Sequence, residues 1–166
     1  MHPISAAPIH TRDVYSDPKS FSALMSKLTK RLRAIRKTTP FDMLAGCGNS
    51  AAPLLGVLGL RLGVPILSVR KADDHSSHDY RKVSGFFMGN RYLILDDLIS
   101  SGTTVNHIRR AIAKTEKEEG REGPPSECVG ALLYFSHGYT GSTYTFPQDT
   151  SWNCLAEKTV PTFFLN

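Results

Sequence analysis

Residues 92–104, Tyr-Leu-Ile-Leu-Asp-Asp-Leu-Ile-Ser-Ser-Gly-Thr-Thr, concentrate more chemistry than any other stretch of the chain. Four residues of strand-like apolar character end in two adjacent carboxylates, Asp96 and Asp97. Leu98 and Ile99 follow, then the compact run Ser100, Ser101, Gly102, Thr103 and Thr104, then a helical pattern through Val105, Ile108 and Ile112. Carboxylates at a strand's C-terminal end can accept hydrogen bonds from vicinal sugar hydroxyls. Small residues let backbone N–H groups close on a phosphate, the hydroxyls add donors, and the helix N-terminus favours its negative charge. A strand ending in a polar turn with an Asp or Ser helix cap explains one Asp and one Ser, but not the whole run. The composite suits a phosphorylated sugar.

Two other clusters could meet it. Gly46-x-Gly48-x-x-Ala51 follows a short apolar strand and opens a helix, as in a dinucleotide-binding fingerprint, and Asp73 lies about 20 residues on, where the ribose acid of such a site stands. A second phosphate-type loop later in the chain, and a length short for a dehydrogenase with its own substrate domain, weigh against a small NAD(P)-binding protein, which stays as one alternative. Arg70-Lys71 ends the apolar run Ile-Leu-Ser-Val and supplies two permanent cations for an anionic group. Alone, such a pair is usually solvated surface. His75-x-x-His78-Asp79 has a spacing that could suggest a metal, but polar loops collect such residues by chance, and no metal is read from it.

The acidic pair with its Ser/Thr/Gly run at fixed spacing resembles the phosphoribosyl-pyrophosphate (PRPP) motif of the type I phosphoribosyltransferases. The resemblance covers roughly residues 41–135. It implies a transferase of the glycosyltransferase class, of the kind used in nucleotide salvage. Such an enzyme displaces pyrophosphate from PRPP by a ring nitrogen of a base, with Mg²⁺ as cofactor and commonly as a homodimer. By the same resemblance, Asp96 and Asp97 hold the ribose and reach Mg²⁺ mainly through substrate and water. Ser100, Ser101, Gly102, Thr103 and Thr104 take the 5′-phosphate. Gly48, Asn49, Ser50 and Ala51 take pyrophosphate, in a loop that in the family often holds a strained non-proline cis peptide. Arg70 and Lys71 stabilise the leaving group. The polar stretch 70–89 stands where the family has a flexible catalytic loop, with His75, His78, Tyr80, Arg81 and Lys82 as candidate contacts. The chain ends, about 1–18 and 136–166, would build a small hood over the base, with Trp152, Phe163 and Phe164 as stacking candidates.

Departures from the subfamilies bear on the base. The 6-oxopurine enzymes carry an acid where this chain has Ser100, and orotate enzymes typically carry an Arg where Asn106 stands. Adenine enzymes tolerate a small residue at the Ser100 position, but their loop usually carries a Glu that this one lacks. A purine is slightly favoured. A further alternative is a regulator of the same fold that senses PRPP or nucleotides and binds nucleic acid.

These residues need a scaffold that brings them to one place. Asp17-Pro18 starts a helix in which Phe21, Leu24, Met25, Leu28, Leu32 and Ile35 form one apolar stripe, and Pro40 stops it. Strands are expected at 41–45, 64–69, 92–95 and 128–135, with helices at 51–62, apolar nearly all round and so expected to be buried, and at about 104–119. Such alternation implies a single α/β domain, a mostly parallel central sheet flanked by helices. Ligands of such sheets sit at the C-terminal strand ends, where the glycine turn, Arg70-Lys71 and Asp96-Asp97 all fall.

Composition adds bounds. At 166 residues the chain can bury a real core, and no apolar run approaches a membrane span. The N-terminus lacks the pattern of a signal peptide. Cys47, Cys128 and Cys154 are odd in number and far apart, which points to reduced thiols in a cytoplasmic setting. The net charge of +5 is concentrated: residues 19–37 hold seven Lys and Arg and no acid, and without them 13 basic and 15 acidic residues remain. That segment could face nucleic acid; a solvated helix face is the commoner explanation.

Overall fold

The computed structural model describes residues 17–71, 82–135, 140–149 and 155–165. Its elements, in chain order, are α1 (Pro18–Thr38), β1 (Met43–Cys47), α2 (Gly48–Leu62), β2 (Ile66–Val69), β3 (Val83–Gly85), β4 (Arg91–Asp96), α3 (Thr103–Glu118), β5 (Glu127–Leu133), β6 (Thr143–Phe146) and β7 (Lys158–Phe164). The seven strands form one sheet in the order β3-β2-β1-β4-β5-β7-β6. The central five run parallel, while β3 and β6 pair antiparallel at the two edges.

Burial explains why the parallel strands read as unbroken apolar runs. Met43, Ala45, Tyr92 and Ile94 point into a core with Val105, Ile108 and Ile112 of α3. Leu44, Leu93 and Leu95 point the other way, into a core with Leu28 and Leu32 of α1 and Leu54, Leu55 and Leu58 of α2. Each such Leu or Ile contributes about 1.5–3 kcal/mol on burial, so both faces must be covered. Asp17 caps α1 by accepting from the backbone N–H groups of Lys19 (3.2 Å) and Ser20 (2.9 Å).

Three expectations need correcting. The helix expected at 51–62 begins at Gly48, so the glycine turn is the first turn of α2 rather than a loop before it. That helix is not buried all round: Ala51, Leu54, Leu55 and Leu58 are, but Leu60 is 86 % exposed. Its outer face is apolar without being covered. The turn is also made without a cis peptide among the described residues; Gly48 shapes it at φ 62. Of the chain ends assigned to a hood, residues 1–16 and Trp152 lie outside the described residues, and the tail contributes β6 and β7 to the sheet. Among the described residues no helix is long and apolar enough to cross a membrane. Cys47 and Cys128 are buried, and burial pushes the Cys128 thiol up to about 12.

Candidate functional site

Strand order fixes where a ligand can sit. From β1 the chain moves to β2 on one side, whereas β4 lies on the other, so the sheet changes direction between β1 and β4. A crevice opens at the carboxyl ends of such a strand pair. Each of these two strands runs straight into a helix: β1 into α2 through Cys47-Gly48, and β4 into α3 through residues 97–102. Neither N-cap, Cys47 nor Gly102, makes a side-chain capping bond. Two neighbouring helix N-termini therefore present backbone N–H groups and positive dipole ends to the same crevice, an arrangement for two anionic groups.

Between them stands the acidic pair. Asp96 is the last residue of β4, one further than the sequence pattern suggests, and is 2 % exposed. Its Oδ1 accepts from Ser50 Oγ at 3.1 Å and from the Asp97 backbone N–H at 3.0 Å. Ser50 thus ties the α2 turn to the β4 carboxylate. Asp97 is half-buried and accepts from the Leu98 N–H at 2.8 Å. The backbone oxygens of Asp96 and Asp97 accept from Tyr134 (3.2 Å) and Phe135 (2.9 Å), pinning the pair to the chain leaving β5. Burial, with the neighbouring Asp97 charge, pushes the Asp96 carboxyl up to about 7. A buried carboxylate with an acidic neighbour stores repulsion that a cation or sugar hydroxyls relieve.

The loop after the pair forms a small cavity of about 120 Å³ lined by residues from Asp96 to Val105. Within it the Ser101 and Thr103 hydroxyls bond each other at 2.7 Å. Gly102 adopts φ 77, and a Cβ there would overlap the Tyr144 hydroxyl. On the α2 side, a Cβ on Gly48 would stand 2.8 Å from Lys71 Cε. The methylenes of Lys71 therefore lie on the turn itself, and the sequence-derived partners Gly48 and Lys71 do meet. Arg70 is half-buried at the end of β2; its N–H donates to the Lys82 carbonyl at 2.9 Å, closing the ends of the intervening segment. His75, His78, Tyr80 and Arg81 lie outside the described residues. Phe163 and Phe164 are half-buried on β7, packed against the two cores from opposite faces of the sheet.

Three groups at the site, Tyr134, His107 and Tyr144, escape sequence reasoning. The Tyr134 hydroxyl donates to the Ser50 carbonyl, supporting the α2 turn from below. His107 Nε2 lies 2.7 Å from the Arg70 carbonyl, linking α3 to the end of β2. Asn106 Nδ2 donates to the Tyr144 hydroxyl at 3.1 Å, bringing β6 over the phosphate-type loop. His107 carries a faint signal, one helical turn beyond Thr103; the tyrosines carry none.

For a metal, the donor set is two carboxylates, and among the described residues no cluster of three or more His, Cys, Asp or Glu could hold an ion. Hard oxygen donors in so small a number fit Mg²⁺, which keeps several waters and completes its shell from a substrate.

No family model matches the sequence. Relatives are found nonetheless. An orotate phosphoribosyltransferase of Cereibacter sphaeroides is 28 % identical over 155 residues, covering 90 % of this chain and 64 % of the relative. One of Pyrobaculum aerophilum is 24 % identical over 136 residues, covering 81 % and 63 %. The chain thus spans less than two thirds of the length of these curated relatives. Among solved structures, orotate phosphoribosyltransferase from Aeropyrum pernix superposes with a TM-score of 0.53 at 19 % identity, covering 75 % of this chain and 62 % of that one. An adenine phosphoribosyltransferase superposes with a TM-score of 0.55 at 14 % identity, covering 93 % and 85 %. The parallel sheet, the paired helix N-termini around an acidic pair, and these superpositions give the chain the fold of the type I phosphoribosyltransferases, and its sequence is similar to orotate phosphoribosyltransferases.

Proposed function

We propose that the protein transfers the 5-phosphoribosyl group of PRPP to a ring nitrogen of a base, releasing pyrophosphate. The observation that carries this reading is the Ser50–Asp96 hydrogen bond of 3.1 Å, which joins two anion-ready helix ends through a carboxylate suited to ribose hydroxyls. Residues 100–104 would bind the 5′-phosphate and residues 48–51 the pyrophosphate, with Arg70 and Lys71 facing the charge that builds as the C1–O bond breaks. The electron pair of that bond leaves with pyrophosphate, the base nitrogen forms the new bond to C1, and its proton passes to solvent. Positioning and fixed charge carry such a reaction, without a covalent nucleophile. Asp96 and Asp97 would hold Mg²⁺ through substrate and water, where the ion supplies charge neutralisation of the pyrophosphate.

For the acceptor we take a purine, because Asn106 offers no cation for the carboxylate of orotate and is engaged by Tyr144. The second reading, orotate, is favoured by the names of the sequence relatives. The two are separated by incubating the protein with PRPP, Mg²⁺ and each base in turn, following pyrophosphate release and the mass of the nucleotide formed. Adenine turnover supports the purine reading and orotate turnover alone overturns it. Release with no base would overturn transfer itself.

We also propose that a second copy of the chain covers the outer face of α2. Leu60, Phe86 and Met88 are 86, 78 and 71 % exposed around a groove of about 360 Å³. Leu60→Glu is expected to shift the mass measured by light scattering from dimer to monomer. A monomeric wild type would exclude the dimer.

A further inference from the structure

We propose that the exposed side of α1, together with Arg61 of α2, is a docking surface for the phosphodiester backbone of a nucleic acid. Residues 18–71 contain ten Lys and Arg but a single acid, Asp42, and Asp42 is paired with Arg91. Lys30, Arg33 and Lys37 recur at spacings of three and four, which places them on one side of the helix. Arg61 joins them to line a trough of about 580 Å³ whose remaining lining includes the small residues Ser26 and Ala34. Lys27 stands exposed one turn earlier. Among the described residues none of these five cations has an acidic partner.

Structural duties account for only part of this charge. Arg33 and Arg36 donate to the carbonyls of Arg61 and Leu62, each at 3.3 Å, at the C-terminal end of α2, where a cation opposes the helix dipole. Arg31 donates to the Phe164 carbonyl at 3.0 Å. Among the described residues Lys27, Lys30, Lys37 and Arg61 have no such duty, and like charges held side by side repel unless an anion joins them. An anionic membrane is the poorer fit: membrane-surface helices interleave cations with bulky apolar side chains, whereas the small residues Ser26 and Ala34 line the trough among these cations. With no aromatic ring in the trough, contact would be to phosphates rather than bases, and so independent of sequence. The surface shares no residue with the crevice at β1 and β4, so the inference does not depend on the PRPP reading.

Fluorescence anisotropy of the intact protein with a labelled oligothymidylate, titrated at several salt concentrations, tests it. Against wild type, Lys30→Glu/Lys37→Glu is expected to weaken binding at least about tenfold at low salt, and to flatten the log–log salt slope by about 1.4, for two lost phosphate contacts. Lys30→Gln/Lys37→Gln should fall between, with PRPP-dependent pyrophosphate release unchanged in both. The proposal is overturned if wild type does not bind the oligonucleotide, if the variants bind as tightly as wild type, or if anionic phospholipid vesicles are bound and the oligonucleotide is not.

Discussion

Asp96→Asn should make the metal-free protein more stable at alkaline pH while abolishing its binding of PRPP. Asp96 rises from 3.8 to about 7 on folding, chiefly through burial. A carboxyl whose folded pKa is raised binds its proton more tightly in the native state. Its contribution is therefore fully present below the unfolded pKa and is lost as pH rises through about 7. At about 1.4 kcal/mol per unit, the ionised carboxylate costs the fold on the order of 4 kcal/mol above that pH. Asparagine keeps an oxygen for Ser50 and the Asp97 N–H, but buries an NH₂ group at a penalty of about 1–3 kcal/mol. The net gain is about 1–3 kcal/mol at pH 8, or roughly 2–10 °C in melting temperature for a domain of this size, with no gain at pH 4. Thermal melts of both proteins in chelator across that range measure it. A difference between wild type and variant that does not change with pH would refute the reasoning, because the charge on Asp96 would then carry no cost.

Gly48→Ala is expected to lose about 1–3 kcal/mol of stability, since an alanine at this φ is strained and its methyl meets Lys71, and to weaken product inhibition by pyrophosphate; chemical denaturation and inhibition assays report the two effects. Gly102→Ala should cost more, because the new methyl also overlaps the Tyr144 hydroxyl. Adding Tyr144→Ala should restore part of the loss, which a double-mutant cycle by denaturation reads. His107→Phe removes the bond to the Arg70 carbonyl and should raise KM for PRPP about fivefold, for roughly 1 kcal/mol of lost positioning, with His107→Gln recovering part of it; steady-state kinetics decide.

The sequence made the centre of the fold legible because its physics there is local. Apolar residues on both faces of β4 and β5 can only mean strands covered twice, and two carboxylates after such a strand must stand at its end. Boundaries blurred where one residue serves two elements: Asp96 is both the last strand residue and the first site residue, and Gly48 is both turn and helix. Exposure of Leu60 was not legible, since an apolar helix does not reveal which of its faces the sheet covers. Nor was β3, three residues long inside a polar stretch. The supports from Tyr134, His107 and Tyr144 arise from chain packing, as with Tyr134 and Ser50, 84 residues apart, and no local pattern announces them.

Calorimetric titration of PRPP into the protein with Mg²⁺ present, run on wild type and on Asp96→Asn/Asp97→Asn, tests the central claim most directly. The paired helix ends and the acidic pair between them predict saturable one-to-one binding by wild type and near-complete loss in the double variant, whose fold should stay intact by circular dichroism. Equal PRPP affinity in the two proteins, or no binding by either, would contradict it.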